Sequence, residues 1–264
     1  MLLNEKLEIF KLAINGKKIA VLGIGRSNIP AINFLNKLGA KISVRDKNKD
    51  ALEKCESLQK LGIEFILGEN YLSGLDKFDY ILRTPGIKPF LKEIEAATKK
   101  GVKLTSEIEL LVELSPCKIV AVTGSDGKTT TTTLISKFLE NQGYKVWLGG
   151  NIGRSIFADI ESISRKDIIV LELSSFQLMT LKKSPNVAVI TNISPNHLDY
   201  HRSFEEYALA KANIFLNQNR NDKLVLNLDD SYTEKYLSII SNNKIKSSIS
   251  YFSLKEKVVK RSIF

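Results

Sequence analysis

Short apolar runs closed by glycine or an acid alternate along this chain with stretches whose apolar residues recur at helical spacing. Lys17-Lys18-Ile19-Ala20-Val21-Leu22 predicts a buried strand. It runs into Gly23-Ile24-Gly25-Arg26-Ser27-Asn28, after which Ile32, Leu35 and Leu38 share a helical face that Gly39 ends. Lys41 to Arg45 predicts a second strand ending at Asp46. Glu64 to Leu67 and Asp79 to Leu82 predict two more, the last leading into Thr84-Pro85-Gly86. Strands alternating with helices imply a parallel sheet with right-handed crossovers.

Leu114-Ser115-Pro116-Cys117 interrupts the pattern, and the alternation then restarts. Strands are expected at Lys118–Val122, Asp167–Glu172, Val187–Asn192 and Lys223–Asn227, with a helix from Thr129 to Leu139. No internal repeat or low-complexity tract interrupts it. The fold class expected is α/β, two tandem parallel-sheet domains with residues 1–115 in the first and 116–264 in the second.

Composition narrows the class. With 43% hydrophobic and 26% charged residues, the 264-residue chain has the make-up of a globular protein rather than a disordered one. No apolar run is long enough to span a bilayer, and the start, Met1-Leu2-Leu3-Asn4-Glu5-Lys6, lacks the pattern of a secretory signal. Two cysteines, Cys55 and Cys117, form no disulfide framework, so a cytoplasmic location and no membrane insertion are expected. The net charge of +10 is spread over both halves, apart from a basic end in which Lys244, Lys246, Lys255, Lys257, Lys260 and Arg261 face Glu256 alone. Without aromatic interleaving or a reader motif, this charge does not point to nucleic acid.

Chemistry concentrates where strands end. Thr123-Gly124-Ser125-Asp126-Gly127-Lys128-Thr129 joins a strand to a helix, a shortened phosphate-binding loop with Val122 where the usual first glycine would stand. Its glycines allow backbone N–H groups to face phosphate oxygens, the helix N-terminus adds its dipole, Lys128 reaches the phosphates and Thr129 offers a hydroxyl to Mg²⁺. Asp126 is at odds with an anion cradle unless it faces outward or helps hold the metal. The earlier turn, Gly23-x-Gly25-x-x-Asn28 with Asp46 downstream, is a partial dinucleotide fingerprint lacking its third glycine. It fits a nicotinamide dinucleotide, a nucleotide-linked substrate or a purely structural turn. No proton-relay histidine near it supports a dehydrogenase.

Glu172 closes an apolar strand and could hold Mg²⁺ beside the phosphates, or be an ordinary acid leaving a strand. His197 and His201 lie in a polar loop after the next strand, available as metal or phosphate contacts or simply solvated. Lys211 shares its helical stripe with Phe204, Tyr207, Ala208, Ile214 and Phe215. Buried there, it either snorkels outward or points into the site, pairing with anions or carrying a covalent modification.

Together these segments resemble the Mur ligases. Thr123–Thr129, Gly149-Gly150-Asn151-Ile152-Gly153, Leu171-Glu172-Leu173-Ser174-Ser175-Phe176-Gln177-Leu178, Asn196-His197-Leu198-Asp199 and Ala210-Lys211 stand in the order found in that family. Leu171–Leu178 and Thr84-Pro85-Gly86-Ile87 are most similar to its D-glutamate-adding branch. The resemblance implies a Rossmann-like first domain that binds UDP-N-acetylmuramoyl-L-alanine through Gly25, Arg26, Ser27, Asn28, Asp46, Thr84, Pro85 and Gly86. It implies a P-loop second domain that binds ATP through Gly124, Ser125, Asp126, Gly127, Lys128, Thr129, Thr130 and Thr131, with Asp126 where the family has asparagine. Thr129 and Glu172 would hold one Mg²⁺, and His197 with a carbamylated Lys211 a second. Lys128, His197 and Lys211 would be catalytic, and Asn151 and Ser174 would lie near the muramoyl group.

The implied reaction joins D-glutamate to the substrate carboxylate through an acyl phosphate, in peptidoglycan precursor synthesis, by a monomer. The family also has a third, C-terminal domain that these 264 residues do not include. The expectation is therefore that this polypeptide alone binds substrate without ligating it. The alternatives are a non-catalytic nucleotide-binding fragment or another Mur-type amino-acid ligase.

Overall fold

The computed structural model describes residues 4–25, 28–54, 56–196 and 200–255. The chain divides into two compact units, Met1–Ser115 with Arg154–Ser162, and Pro116–Gly153 with Ile163–Phe264.

In the first unit the elements run α1 (Glu5–Ile14), β1 (Lys18–Leu22), α2 (Asn28–Lys37), β2 (Lys41–Asp46), α3 (Glu56–Gln59), β3 (Glu64–Leu67), β4 (Tyr80–Arg83), α4 (Lys92–Lys99), β5 (Lys103–Thr105) and α5 (Glu107–Leu114). The strands form one parallel sheet in the order β3-β2-β1-β4-β5. The apolar run Ile19–Leu22 is buried because β1 is central and covered on both faces. On one face Ala20, Leu22 and Ile81 pack with Leu75, Ile94 and Ala97. The direction of winding reverses between β1 and β4, which opens a crevice at their carboxyl ends.

The sequence reading assigns residues 154–162 to the second domain, but the chain folds them into the first unit. The cause is local. Phe157 and Ile160 are buried, Phe157 meets Phe34 edge-to-face at 5.2 Å, and Ser155 donates to Glu107 Oε1 at 2.8 Å. Lys11 pairs with Glu161 at 2.7 Å on the rim.

The second unit contains β6 (Lys118–Thr123), α6 (Lys128–Asn141), β7 (Val146–Gly150), β8 (Ile168–Glu172), α7 (Ser175–Leu178), β9 (Val187–Ile190), α8 (Phe204–Ala212), β10 (Lys223–Asn227), α9 (Thr233–Asn242) and β11 (Ser248–Phe252). These strands are also all parallel, in the order β11-β10-β9-β6-β8-β7. Winding reverses at β6, so the loops after β6, β8 and β9 converge at one end of the sheet. Among the described residues, no helix is long and apolar enough to cross a membrane.

Candidate active site

The second unit places its chemistry on the loops after β6, β8 and β9. Gly124 has φ +149°, and a Cβ there would lie 1.9 Å from Thr191 Oγ1 and 3.1 Å from the Asn192 carbonyl oxygen. Only glycine lets the β6 loop pass so close to the β9 loop. The two loops are then laced together. Ser125 N–H donates to the Asn192 carbonyl at 2.9 Å, and Asp126 N–H donates to Asn192 Oδ1 at 3.0 Å. Thr191 Oγ1 and Asn192 Nδ2 donate to the Asp126 carbonyl at 2.6 and 3.1 Å, and Ser194 N–H donates to Ser125 Oγ at 2.8 Å.

Two of the amides expected to face phosphate, those of Ser125 and Asp126, are thus bonded to Asn192 instead. The amides left open at this turn are the first-turn amides of α6 at Lys128, Thr129 and Thr130, which no earlier turn can satisfy. Gly127 turns the chain into that helix in the left-handed conformation, φ +74°. Thr131 N–H closes the first helical bond onto the Gly127 carbonyl. Lys128 Nζ reaches back over the loop and donates to the Ser125 carbonyl at 2.7 Å. Asp126 is exposed and its carboxylate lies toward Ser194 Oγ at 3.5 Å, away from these amides.

Beside the loop, Glu172 is only 1% exposed at the end of β8. It accepts from Thr129 Oγ1 at 2.6 Å through one oxygen and from Asn151 Nδ2 at 2.8 Å through the other. Gly150 makes this possible, since a Cβ there would lie 2.1 Å from the Glu172 carbonyl oxygen. Hydroxyl, carboxylate and amide oxygens are the hard donors that suit Mg²⁺. Ser174 caps α7, its side chain accepting from Gln177 N–H while Gln177 Oε1 accepts from Ser174 N–H, a reciprocal capping box.

Lys211 is 2% exposed. It does not snorkel: its Nζ donates to the Gly124 carbonyl at 2.8 Å and lies 4.6 Å from the centre of the Tyr207 ring. Burial, with the neighbouring Lys128 cation second, pushes its pKa down to about 7, and Asp126 offsets part of this. Tyr207, read from sequence only as core, has a second task. Its hydroxyl shares a hydrogen bond of 2.9 Å with Ser125 Oγ. Its place one helical turn before Lys211 was the signal available in the sequence. His201 is buried, with Nε2 2.9 Å from Ser175 Oγ and its ring stacked on Phe176. His197 lies outside the described residues. Among those described, no group of three or more His, Cys, Asp or Glu side chains gathers at one point.

Asp230 was not singled out by the sequence. It accepts from Ile193 N–H at 2.6 Å and from Tyr232 N–H at 2.8 Å, while Asn227 Nδ2 donates to the Thr191 carbonyl at 3.0 Å. The end of β10 thereby fixes the β9 loop.

In the first unit, the turn after β1 is built from its own candidates. Gly23 has φ +91° and packs against Thr84, whose Oγ1 would lie 2.7 Å from a Cβ there. Asn28 Nδ2 donates to the Gly23 carbonyl at 3.0 Å, and its N–H to the Gly25 carbonyl at 3.0 Å. Asp46 accepts from Ile24 N–H and Asn48 N–H, both at 2.8 Å, so its carboxylate braces the turn. Thr84, Pro85 and Gly86 follow β4 at the same end of the sheet, over the buried Arg83, which donates to the Pro85 and Ile87 carbonyls. Arg26 and Ser27 lie outside the described residues.

Comparison with known proteins agrees with this geometry. Residues 122–263 match the Mur ligase middle domain, and residues 17–106 match the Mur ligase MurD-like N-terminal domain. UDP-N-acetylmuramoylalanine–D-glutamate ligase from Ruminiclostridium cellulolyticum is 50% identical over 253 residues, 95% of this chain and 53% of the relative. The ligase of the same name from Acetivibrio thermocellus is 51% identical over 255 residues, 96% of this chain and 54% of the relative. The chain spans about half the length of the curated relatives it matches. Two crystal structures share the fold. UDP-N-acetylmuramate:L-alanyl-gamma-D-glutamyl-meso-diaminopimelate ligase from Neisseria meningitides has a TM-score of 0.56 and 19% identity, covering 89% of this chain and 78% of that one. UDP-N-acetylmuramate-alanine ligase from Thermotoga maritima has a TM-score of 0.50 and 22% identity, covering 91% and 53%. With its middle-domain match extending over more than half of its length, and the N-terminal match beside it, this chain belongs to the Mur ligase family.

Proposed function

We propose that these residues carry the ATP- and acceptor-binding parts of an enzyme that joins D-glutamate to UDP-N-acetylmuramoyl-L-alanine in peptidoglycan precursor synthesis. The observation that carries the reading is the pairing of Thr129 with Glu172 beside the first-turn amides of α6, with Lys128 and Lys211 donating to the Ser125 and Gly124 carbonyls of the loop. The two relatives near 50% identity are both named for this reaction.

The α6 amides and Lys128 bind the ATP phosphates, and Lys128 offsets charge that grows on the transferred phosphoryl oxygens. Asn151 and Ser174 orient the muramoyl carboxylate for attack on the γ-phosphorus, with ADP leaving. The amine of D-glutamate then attacks the acyl phosphate, a C–N bond forms, and phosphate departs with one proton lost from nitrogen. Gly25, Arg26, Ser27, Asn28, Asp46, Thr84, Pro85 and Gly86 hold the UDP end. Thr129 and Glu172 would hold Mg²⁺, which would neutralise charge at the phosphates. His197 and a carbamylated Lys211 would hold a second Mg²⁺. A lysine this buried and with so low a pKa is in part neutral near pH 7, the form that adds carbon dioxide, creating an N–C bond and releasing a proton. The protein acts as a monomer in the cytoplasm.

The test is a ligation assay with UDP-N-acetylmuramoyl-L-alanine, ATP and radiolabelled D-glutamate. The chain is assayed alone and mixed with the separately supplied C-terminal half of a curated relative. Amide product is expected in the mixture with D- but not L-glutamate, and Lys128→Ala lowers the rate by about 10²-fold or more. A chain that binds neither ATP nor the muramoyl substrate contradicts the reading.

A further inference from the structure

Parallel strands buried on both faces are normally apolar throughout. One face of β2 departs from this: Lys41, Ser43 and Arg45 alternate opposite Ile42 and Val44. The register sets Lys18 beside Lys41, and Glu64 beside Ser43. No crossover α-helix covers this face, because the link from β3 to β4 contains only the 3-10 turns Glu69–Leu72 and Leu75–Lys77. Under that link lies a cavity of about 560 Å³ lined by Lys18, Lys41, Arg45, Lys77 and Glu64 among others. Lys18, Lys41 and Glu64 open their strands, and the cavity runs from there along the face of β2 to Arg45, whose backbone carbonyl accepts from Gly23 N–H at 2.7 Å.

Arg45 is the fixed part of this cavity, at 3% exposure. Its Nε donates to Ser43 Oγ at 3.1 Å, its Nη1 donates to the Ser73 and Tyr71 carbonyls at 2.5 and 3.3 Å, and its guanidinium stacks 4.8 Å from the centre of the Phe78 ring. These contacts lock the plane of the fork and involve neither proton of Nη2. A buried cation is costly without a counter-charge, and Arg45 makes no ion pair among the described residues. Lys18, Lys41 and Lys77 form no ion pair among the described residues either, although Asp79 and Asp76 act on Lys18 and Lys77 at longer range. Four cationic residues and one acid, Glu64, line the cavity.

We propose that this cavity binds a small phosphate-type polyanion, with Arg45 and the lysines holding its charge and Glu64 accepting from a ligand hydroxyl. A locked guanidinium fork flanked by exposed ammonium groups is the donor set that suits phosphate oxygens. The proposal uses none of the residues assigned above to the nucleotide sites and does not rest on them.

The experiment is a titration of the ¹⁵N-labelled 264-residue chain with inorganic pyrophosphate in the absence of divalent cations, with succinate as a second arm. Saturating shifts are expected at the Ser43, Ser73 and Gly74 amides. In Lys41→Glu/Lys77→Glu they saturate at least about tenfold later, while shifts at Lys128 and Thr129 are unchanged. Arg45→Lys, which keeps the charge and loses the fork, also weakens binding, and Lys128→Ala leaves it intact. Absence of saturating shifts at those three amides, or equal affinity in the charge-reversed variant, overturns the proposal. Succinate binding as tight as pyrophosphate overturns the phosphate assignment.

Discussion

Lys211 is a cation where water does not reach, and its nearest charged neighbours decide how it titrates. Its ordinary pKa is 10.5 and burial brings it to about 7, with Lys128 pushing the same way and Asp126 opposing. In a carbon-dioxide-free buffer the unfolded chain therefore binds more protons than the folded one between about pH 7 and 10. Stability from this group is lost below that window and recovered as pH rises through it. The urea midpoint of the chain should rise from pH 7 to 9 more steeply than that of Lys211→Met, and parallel slopes would contradict the burial argument. At Gly124 the constraint is steric. A methyl group there meets Thr191 Oγ1 at 1.9 Å with φ at +149°, so Gly124→Ala should cost about 1–3 kcal/mol in urea unfolding and weaken nucleotide binding. Both residues were legible in the sequence, the glycine from its motif and the lysine from an apolar stripe it does not match. The lacing of Ser125 and Asp126 onto Asn192 was not legible, because it joins residues more than sixty apart whose amides give no pattern of their own.

The strands that carry apolar runs, β1, β6, β8 and β9, were legible because central parallel strands are buried on both faces. Of the edge strands only β3 was legible, while β5, β7 and β11 were not. β11 alternates serines with Ile249 and Tyr251, and β5 has only three residues, so neither offers a run to recognise. Residues 154–162 misled for a related reason: sequence order places them in the second domain, while the burial of Phe157 and Ile160 places them in the first unit. The loop after β9 depends on its neighbour strand. Asp230 accepts two backbone amides there, and charged hydrogen bonds of this kind are worth about 1.5–3 kcal/mol. Asp230→Ala should accelerate hydrogen exchange at Ile193 and Tyr232 and weaken nucleotide binding through the loosened Thr191–Ser194 lacing. Unchanged exchange at Ile193 would show that the β10 end does not hold that loop.

Each of the two parallel sheets carries a glycine turn at the end where winding reverses, and the proposed function puts its anionic ligands at these two turns. The order of motifs along the chain made the family legible from sequence, and the domain matches at residues 17–106 and 122–263 bear it out. What the pattern could not carry was the division of labour inside each turn. Asp46 and Asn28 brace the first turn through backbone bonds, and in the second turn the Ser125 and Asp126 amides are bonded to Asn192, which leaves the first-turn amides of α6 unsatisfied. The proposed function therefore requires Lys128, Thr129 and Glu172 to act together on nucleotide phosphates. Isothermal titration of the 264-residue chain with a non-hydrolysable ATP analogue and Mg²⁺ measures this in solution. One-to-one binding is predicted, weakened at least about tenfold in Lys128→Ala and in Glu172→Gln. No binding by the unaltered chain, or equal affinity in both variants, would contradict it.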